Sequence, residues 1–246
     1  MVAIAFRRKP LLERKPWERR ERFINMNLNL IPVVLVDSMI SKDEMKHGTT
    51  TVGIVTKEGV VVAAEKRATM GYLIAHKAVT KVIPITDSIA MTTAGMVGDA
   101  QMLARYLKAE IELYETRKNK KITVKAASTL LANILYSNRF SVPFYVQLLL
   151  AGKDDTGYHL FSLGPDGSNI EDKYVSTGSG SVMAYGVLED QYKDGLSLKE
   201  AIVIAARAIR AAMARDIASG GGIDVYTITE KGISKVPKEE IDKIVK

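Results

Sequence analysis

Cysteine is absent from this sequence, and histidine occurs only three times, at His47, His76 and His159. The first absence excludes a disulfide framework, a thiolate nucleophile and any cysteine-held zinc or iron-sulfur centre. The second leaves too few imidazoles for a metal site: the three fall in no ligand spacing, and each reads as a surface or internally satisfied residue. Neither a metal nor a redox cofactor is therefore expected, and the lack of cysteine fits a reducing, cytoplasmic setting. Long apolar runs are missing too. The stretch LIPVVLV at 30–36 is far shorter than the ~18 residues of a membrane span and contains Pro32, and Asp37 follows where a secretory signal would place small residues. No membrane association is expected.

What the 246 residues do contain is ordinary for one globular domain with an appendage: 47% hydrophobic and 26% charged side chains, enough length to bury a sizeable core. The formal net charge of +7 invites a nucleic-acid partner, so its location matters. Residues 1–48 hold ten Lys/Arg against six Asp/Glu, more than half of the excess in a fifth of the chain. There the run RRKPLLERKPWERRERF interleaves Arg with Glu, the pattern of a solvated tail. The body after Gly48 is only mildly basic, and no nucleic-acid partner is expected.

After Gly48 the pattern tightens. TTTVGIVT at 49–56 and VVVAAEKRA at 60–68 flank a Lys-Glu-Gly turn and read as a β-hairpin; KVIPIT and IAMTTAGM read as a second strand pair. Leu103, Tyr106, Leu107, Ile111 and Tyr114 recur at helical spacing over 99–118, and a second helix is expected over 123–137. YVQLLLAGK and YHLFSLGPDG return to strands, with turn signals at Gly and Pro-Asp-Gly. Helices follow at 181–193 and 197–214, the latter with Ile202, Ala205, Ala206, Ile209 and Met213 on one stripe, and strands close the chain at 224–228 and 233–236. Paired helices between strand runs do not make the single crossovers of a parallel sheet, so the order argues for a layered α+β fold, sheet on sheet with helices outside.

The common hydrolytic and phosphate-binding constellations are missing. Neither His76 nor His159 is accompanied by a nucleophile-elbow motif, no Walker-type loop occurs, and Gly178-Ser179-Gly180-Ser181 lacks the acidic partner of a dinucleotide site. A threonine is inert at neutral pH, but one that heads the chain carries its own base. Its α-amino group, with an ordinary pKa near ~7.7–8.0, can accept the hydroxyl proton, which an internal amide cannot. Cutting between Gly48 and Thr49 would create that terminus. Such a site needs a nearby cation and an acid to orient it; Glu65 and Lys81 are candidates, although a lysine opening a strand ordinarily faces solvent. Gly95, at a strand end just ahead of a helix, could supply a backbone donor for developing negative charge or be a plain turn residue.

Seven short motifs in this order carry a resemblance: GTTTVGIV, E-K-R-A-T-M at 65–70, H-K-x-x-x-K at 76–81, TAGMVGDAQ at 93–101, STGSGS at 176–181, YGVLEDQY at 185–192 and ARDIASGGGIDV at 214–225. Together they resemble the β subunits of the archaeal 20S proteasome. The bacterial HslV-type peptidase also begins at Thr-Thr, but the last two motifs favour the archaeal type. The resemblance implies a four-layer αββα sandwich of the N-terminal nucleophile hydrolase type, with two antiparallel sheets between helix layers. It implies a threonine endopeptidase made as a precursor, with residues 1–48 a propeptide removed by self-cleavage at Gly48-Thr49 and 49–246 the catalytic domain. Thr49 would be nucleophile and, once freed, amine base; Lys81 the lysine of the site; Glu65 its acidic partner, where other members carry Asp. Gly95 would be the oxyanion-hole glycine, with Ser179, Asp216 and Ser219 hydrogen-bonding around the terminus. A substrate pocket would be lined by Ala68, Thr69, Val79, Ile83, Thr93, Val97 and Gln101. Implied partners are α subunits and other β subunits in four stacked seven-membered rings, unfolded polypeptide substrates, and an ATPase regulator acting through the α ring. A structural β subunit whose leader is never removed is the alternative of a different class.

Overall fold

The computed structural model describes residues 48–246. The expected leader, apart from Gly48, lies outside the described residues, as does His47. Strands β1 (Thr51–Val55) and β2 (Val60–Glu65) form the first hairpin. Its turn is closed by Thr56, whose N–H and hydroxyl both donate to the Gly59 carbonyl at 2.8 and 2.9 Å, so the hydroxyl does locally what a longer ladder would otherwise do. Beyond the hairpin come β3 (Ala68–Met70), β4 (Leu73–His76), β5 (Val82–Pro84) and β6 (Ile89–Gly95). Helices α1 (Val97–Lys118) and α2 (Val124–Asn138) follow. Then come β7 (Val146–Asp154), β8 (Gly157–Leu163), β9 (Asn169–Glu171) and β10 (Tyr174–Thr177), and helices α3 (Ser181–Gln191) and α4 (Leu198–Arg215). The chain closes with β11 (Ile223–Thr229), β12 (Gly232–Lys235) and a short helix α5 (Lys238–Ile244).

Two five-stranded sheets result, ordered β10-β1-β2-β11-β12 and β5-β6-β7-β8-β9, with antiparallel neighbours throughout, and β3-β4 form a separate two-stranded ribbon. Strand alternation assigns the layers. In β1, Val52 and Ile54 join a cluster with Ile202, Ala205 and Ile209 of α4. In β6, Met91 joins Leu103, Leu107 and Ile111 of α1 and Leu131 and Leu135 of α2. The opposite faces, including Val60 and Val62 of β2, Ala90 of β6 and Leu149 of β7, meet between the sheets. Each buried Val, Leu or Ile contributes about 1.5–3 kcal/mol relative to exposure, so three apolar layers hold the four structural ones together. This is the expected α+β, αββα sandwich with antiparallel sheets between helix pairs.

Helix starts follow their sequence signals. Thr123 caps α2 by accepting from the Ala126 N–H at 3.2 Å, and Ser197 with Glu200 forms a capping box on α4. The α1 stripe needs correction: the buried residues are Ala100, Leu103, Ala104, Leu107 and Ile111, whereas Tyr106 and Tyr114 are exposed. Alanine at 100 and 104 lets the helix lie close to β6, which rotates both tyrosines outward. The expected strand at 60–68 stops at Glu65 because that side chain turns back to accept the Arg67 N–H at 2.6 Å, bending the chain before β3. Strands β3, β4, β9 and β10 and helix α5 have no counterpart in the sequence reading. They span three, four, three, four and seven residues, too short for a period to register, and every residue of β4 is exposed. Among the described residues, no helix is long and apolar enough to cross a membrane.

This layering makes a direct statement about α1. Leu107→Ala in the unassembled chain should cost about 2–5 kcal/mol, while Tyr106→Ala should stay within about 0.5 kcal/mol. Urea unfolding of the two variants measures both, and equal losses would place the wrong face of the helix in the core.

Candidate active site

At the end of β2 the chain leaves the sheet, and Glu65 is fully buried there. Its Oε2 accepts the N–H groups of Arg67 at 2.6 Å and Gly220 at 3.0 Å, and its Oε1 is ion-paired with Lys81 Nζ. Lys81 precedes β5 and is 4% exposed, so the solvent-facing position usual for a strand-opening lysine does not hold here. Its ammonium has three N–H groups and three acceptors: Glu65 Oε1, the Arg67 carbonyl at 2.6 Å and Thr49 Oγ1 at 2.8 Å. Burial pulls the Lys81 ammonium below the ordinary lysine value, with the Glu65 carboxylate opposing. Burial likewise raises Glu65, opposed by Lys81 and the two amide donors. Three acceptors match the three N–H groups of an ammonium, which in that form holds and polarises the threonine hydroxyl.

Thr49 sits two residues ahead of β1 with 4% exposure. Its hydroxyl donates to the Gly48 carbonyl oxygen at 2.7 Å while accepting from Lys81, so the oxygen lies against the peptide group expected to be cut. A Cβ on residue 48 would fall 1.9 Å from Ala218 Cβ and 2.7 Å from Ser179 Oγ. Only glycine fits at that position.

On the other side of Thr49 a second network converges. The Thr49 N–H donates to Ser179 Oγ at 3.2 Å. Ser179 Oγ and Ser219 Oγ each donate to Asp216 Oδ2 at 2.6 Å, and Ser219 Oγ also shares a hydrogen bond with Thr50 Oγ1 at 2.6 Å. Asp216 caps the C-terminus of α4, the negative end of the helix dipole; the two hydroxyls and the Ala218 N–H at 3.2 Å offset that unfavourable placement. Ser179 belongs to the turn between β10 and α3. Gly178 there has φ +92°, and a Cβ would sit 2.1 Å from the Thr49 carbonyl oxygen. The glycines of this turn thus serve close backbone approach to Thr49, which is why a Gly-Ser-Gly-Ser sequence here does not imply phosphate binding.

Gly95 ends β6, paired with Val146 of β7. The next residue, Met96, donates its N–H to the Tyr145 carbonyl at 2.9 Å. Hydrogen-bonded partners alternate along an antiparallel strand, so the Gly95 N–H is directed away from β7 toward the β5 side. There Lys81 still accepts from the Thr93 N–H at 3.0 Å, but Val79 has turned away to donate to Lys66 at 2.8 Å. The space so opened is a pocket of about 260 Å³ lined by Gly48, Thr49, Lys81 and Gly95, and also by Ala68, Thr69, Val79, Ile83, Thr93, Val97 and Gln101. The structure therefore brings every sequence-derived site residue to one place: the pocket set on one side of Thr49, and Ser179, Asp216 and Ser219 on the other.

Sequence reasoning missed Arg67, Thr50, Gly220 and Ala100. Arg67 gives its N–H to Glu65, its carbonyl to Lys81 and its guanidinium to the Ile217 carbonyl at 2.7 Å, so it ties the Glu65 bend to the loop after α4. Its place two residues after Glu65 was the available signal. Thr50 was legible only as part of the threonine run, and Gly220 and Ala100 act through backbone and packing. Among the two histidines described, His76 is exposed on β4, and His159 is bonded to Glu171 and Thr156 at 2.6 and 2.8 Å, away from Thr49. Among the described residues, no group of three or more His, Cys, Asp or Glu side chains could hold a metal ion.

The family model described as "Proteasome subunit" matches residues 45–228. A protein named proteasome subunit beta from Methanothermobacter thermautotrophicus is 55% identical over 206 residues, covering 83% of this chain and 97% of that protein. The protein of the same name from Ferroglobus placidus is 54% identical over 204 residues (82% and 97%), and that from Archaeoglobus fulgidus 52% over 209 residues (85% and 97%).

The buried pair predicts a pH signature. Lys81→Met leaves Glu65 without its cation, which should cost about 3–5 kcal/mol at neutral pH. The stranded carboxyl then has a folded pKa above its unfolded one, so the folded state binds the extra proton. The penalty should be absent below the ordinary glutamate value of ~4.3 and grow as pH rises through the raised value. Urea midpoints of Lys81→Met and the Glu65→Gln/Lys81→Met double variant across pH check this; a single variant whose deficit relative to the double variant does not grow as pH rises above the ordinary glutamate range contradicts it.

Proposed function

This chain belongs to the proteasome subunit family as a β subunit, which assembles into the proteasome core, and from that premise we propose that it is a threonine endopeptidase activated by cleavage of its own Gly48-Thr49 bond. The single observation that carries the reading is the position of Thr49 Oγ1, held between the Lys81 ammonium at 2.8 Å and the Gly48 carbonyl at 2.7 Å. In maturation, Thr49 Oγ1 attacks the Gly48 carbonyl carbon and the Gly48-Thr49 C–N bond breaks. The nitrogen takes up the hydroxyl proton, and water hydrolyses the resulting ester to release a leader ending in the Gly48 carboxylate. The product is a free Thr49 amine.

That amine is the base the precursor lacks. With Lys81 fully occupied as a donor, the amine takes the hydroxyl proton as Oγ1 attacks a substrate carbonyl, then passes it to the departing amine. The Gly95 N–H stabilises charge on the attacked oxygen; one such donor is worth about 10²–10³ in rate. Ser179, Ser219 and Asp216 orient the new terminus. The pocket, lined by Ala68, Val79, Ile83 and Val97 among others, accepts mainly apolar side chains, with Thr69, Thr93 and Gln101 as polar members. The proposed setting is cytoplasmic, in seven-membered rings stacked with α rings, with unfolded polypeptides delivered by an ATPase regulator. Exposed apolar side chains such as Tyr72, Leu73, Phe140 and Val182 support extensive subunit contacts.

Co-expression with α subunits, followed by N-terminal mass and peptide hydrolysis, tests the proposal. Wild-type chains should begin at Thr49 and cleave peptides. Thr49→Ala should remain uncut and lose turnover by at least ~10³-fold, as expected when a nucleophile is deleted. Intact wild-type chains in inactive particles would instead establish the structural-subunit alternative.

A further inference from the structure

Three threonine hydroxyls lie in the largely apolar layer between the sheets. Thr51 of β1 shares the inter-sheet face with Gly53, Thr92 of β6 shares it with Ala90, and Thr177 of β10 shares it with Val175. Thr51 and Thr92 are fully buried, and Thr177 is 8% exposed. Thr92 Oγ1 donates to Thr51 Oγ1 at 3.1 Å, and Thr51 Oγ1 bonds Thr177 Oγ1 at 2.6 Å. With Thr92 as donor, Thr51 satisfies its own proton by donating onward, giving one directed chain Thr92 to Thr51 to Thr177. Ser176 Oγ reinforces it by donating to the Thr51 carbonyl at 2.8 Å.

Packing does not call for these hydroxyls. Valine has the same branched shape and already occupies this layer at positions 60, 62, 82 and 175, whereas a buried hydroxyl is costly unless bonded. Their location supplies the reason. Thr51 is two residues after Thr49, Thr177 two residues before Ser179, and Thr92 three residues before Gly95. Strands β1 and β10 are already joined by their ladder, but β1 and β6 belong to different sheets. Apolar contact between sheets is non-directional and leaves them free to slide by fractions of an ångström; a hydrogen bond between two β-branched side chains, each stiff at χ1, does not.

We propose that the Thr92–Thr51–Thr177 hydroxyl chain is a positioning device that fixes the nucleophile strand against the strand bearing Gly95 and the turn bearing Ser179. The three threonines touch no substrate and act through Thr49, Gly95 and Ser179. The inference rests on the peptidase reading above.

The test uses the full chain assembled with α subunits, with peptide turnover normalised to the fraction of chains beginning at Thr49. Displacing a catalytic group by about 1 Å can cost ~10²-fold, and a partial slip in Thr92→Val should lower kcat about tenfold with KM changed less than about twofold. Thr92→Ser, which keeps the hydroxyl, should restore kcat to within about twofold of wild type. The triple variant Thr51→Val/Thr92→Val/Thr177→Val leaves no stranded polar group, so it should melt near the wild-type temperature and still turn over slowly. Thr177→Val, at the less buried end, gives a second single-site reading should Thr92→Val fail to assemble. Wild-type kcat in Thr92→Val or in the triple variant, or a serine variant as slow as the valine one, overturns the inference alone. A wild-type particle without Thr49-dependent turnover overturns the functional reading and this inference with it.

Discussion

Everything at the candidate site is arranged around one buried ammonium. Lys81 is almost wholly out of water, and the desolvation of its charge is offset by three acceptors: Glu65 at the end of β2, the Arg67 carbonyl at the bend and Thr49, two residues ahead of β1. Because Thr49, the Glu65–Arg67 bend and Lys81 lie on three separate stretches of the chain, the cation cannot be satisfied until the start of β1, the bend and the start of β5 have come together. Under the proposed function the same coordination bears on the chemistry: a lysine that uses every proton attracts and orients the Thr49 oxygen, and the role of base falls to the amine that cleavage would free.

The opposite side of Thr49 is governed by a carboxylate at a helix end. Asp216 stands where the dipole of α4 disfavours negative charge, and its tolerance there depends on the hydroxyls of Ser179 and Ser219. These two serines link it to the backbone of Thr49 and the side chain of Thr50. Thr49 is thus held between a cation cluster built from the β2–β5 side and an anion cluster built from the ends of β10 and α4. The sandwich supplies rigidity by burying both sheet faces, so the two clusters face each other across a fixed gap.

How much of this was legible in the sequence differed by length scale. Long elements were: β-branched runs marked β1 and β2, apolar runs bounded by Gly and Pro-Asp-Gly turn signals marked β7 and β8, and 3.6-residue spacing marked α1 and α4. Short ones were not, because a three-residue strand such as β3 or β9 contains less than two periods, and β4 lacks a buried face altogether. Within α1, Tyr106 and Tyr114 were placed on the stripe by spacing alone, whereas the small side chains of Ala100 and Ala104 decided which face approaches the sheet. At the site, Thr49, Lys81 and Glu65 were within reach because each has chemistry in its side chain. Arg67 and Gly220 were not, since their contributions are largely a carbonyl and two N–H groups, and backbone groups leave little mark on composition. The seven ordered motifs carried the rest, family and layer order included.

The steric fit at Gly48 has a further consequence for how such a site can change over time. Ala218 and Ser179 leave no room for a side chain on the residue preceding Thr49, so in the proposed reaction the intramolecular cut would be recognised by an absence, and a foreign peptide by what fills the pocket. Under the proposed function, maturation and substrate choice therefore draw on separate determinants. Pocket residues such as Val79 or Val97 are free to diverge, and with them the repertoire of cleaved sequences, without the enzyme ever losing the ability to make itself.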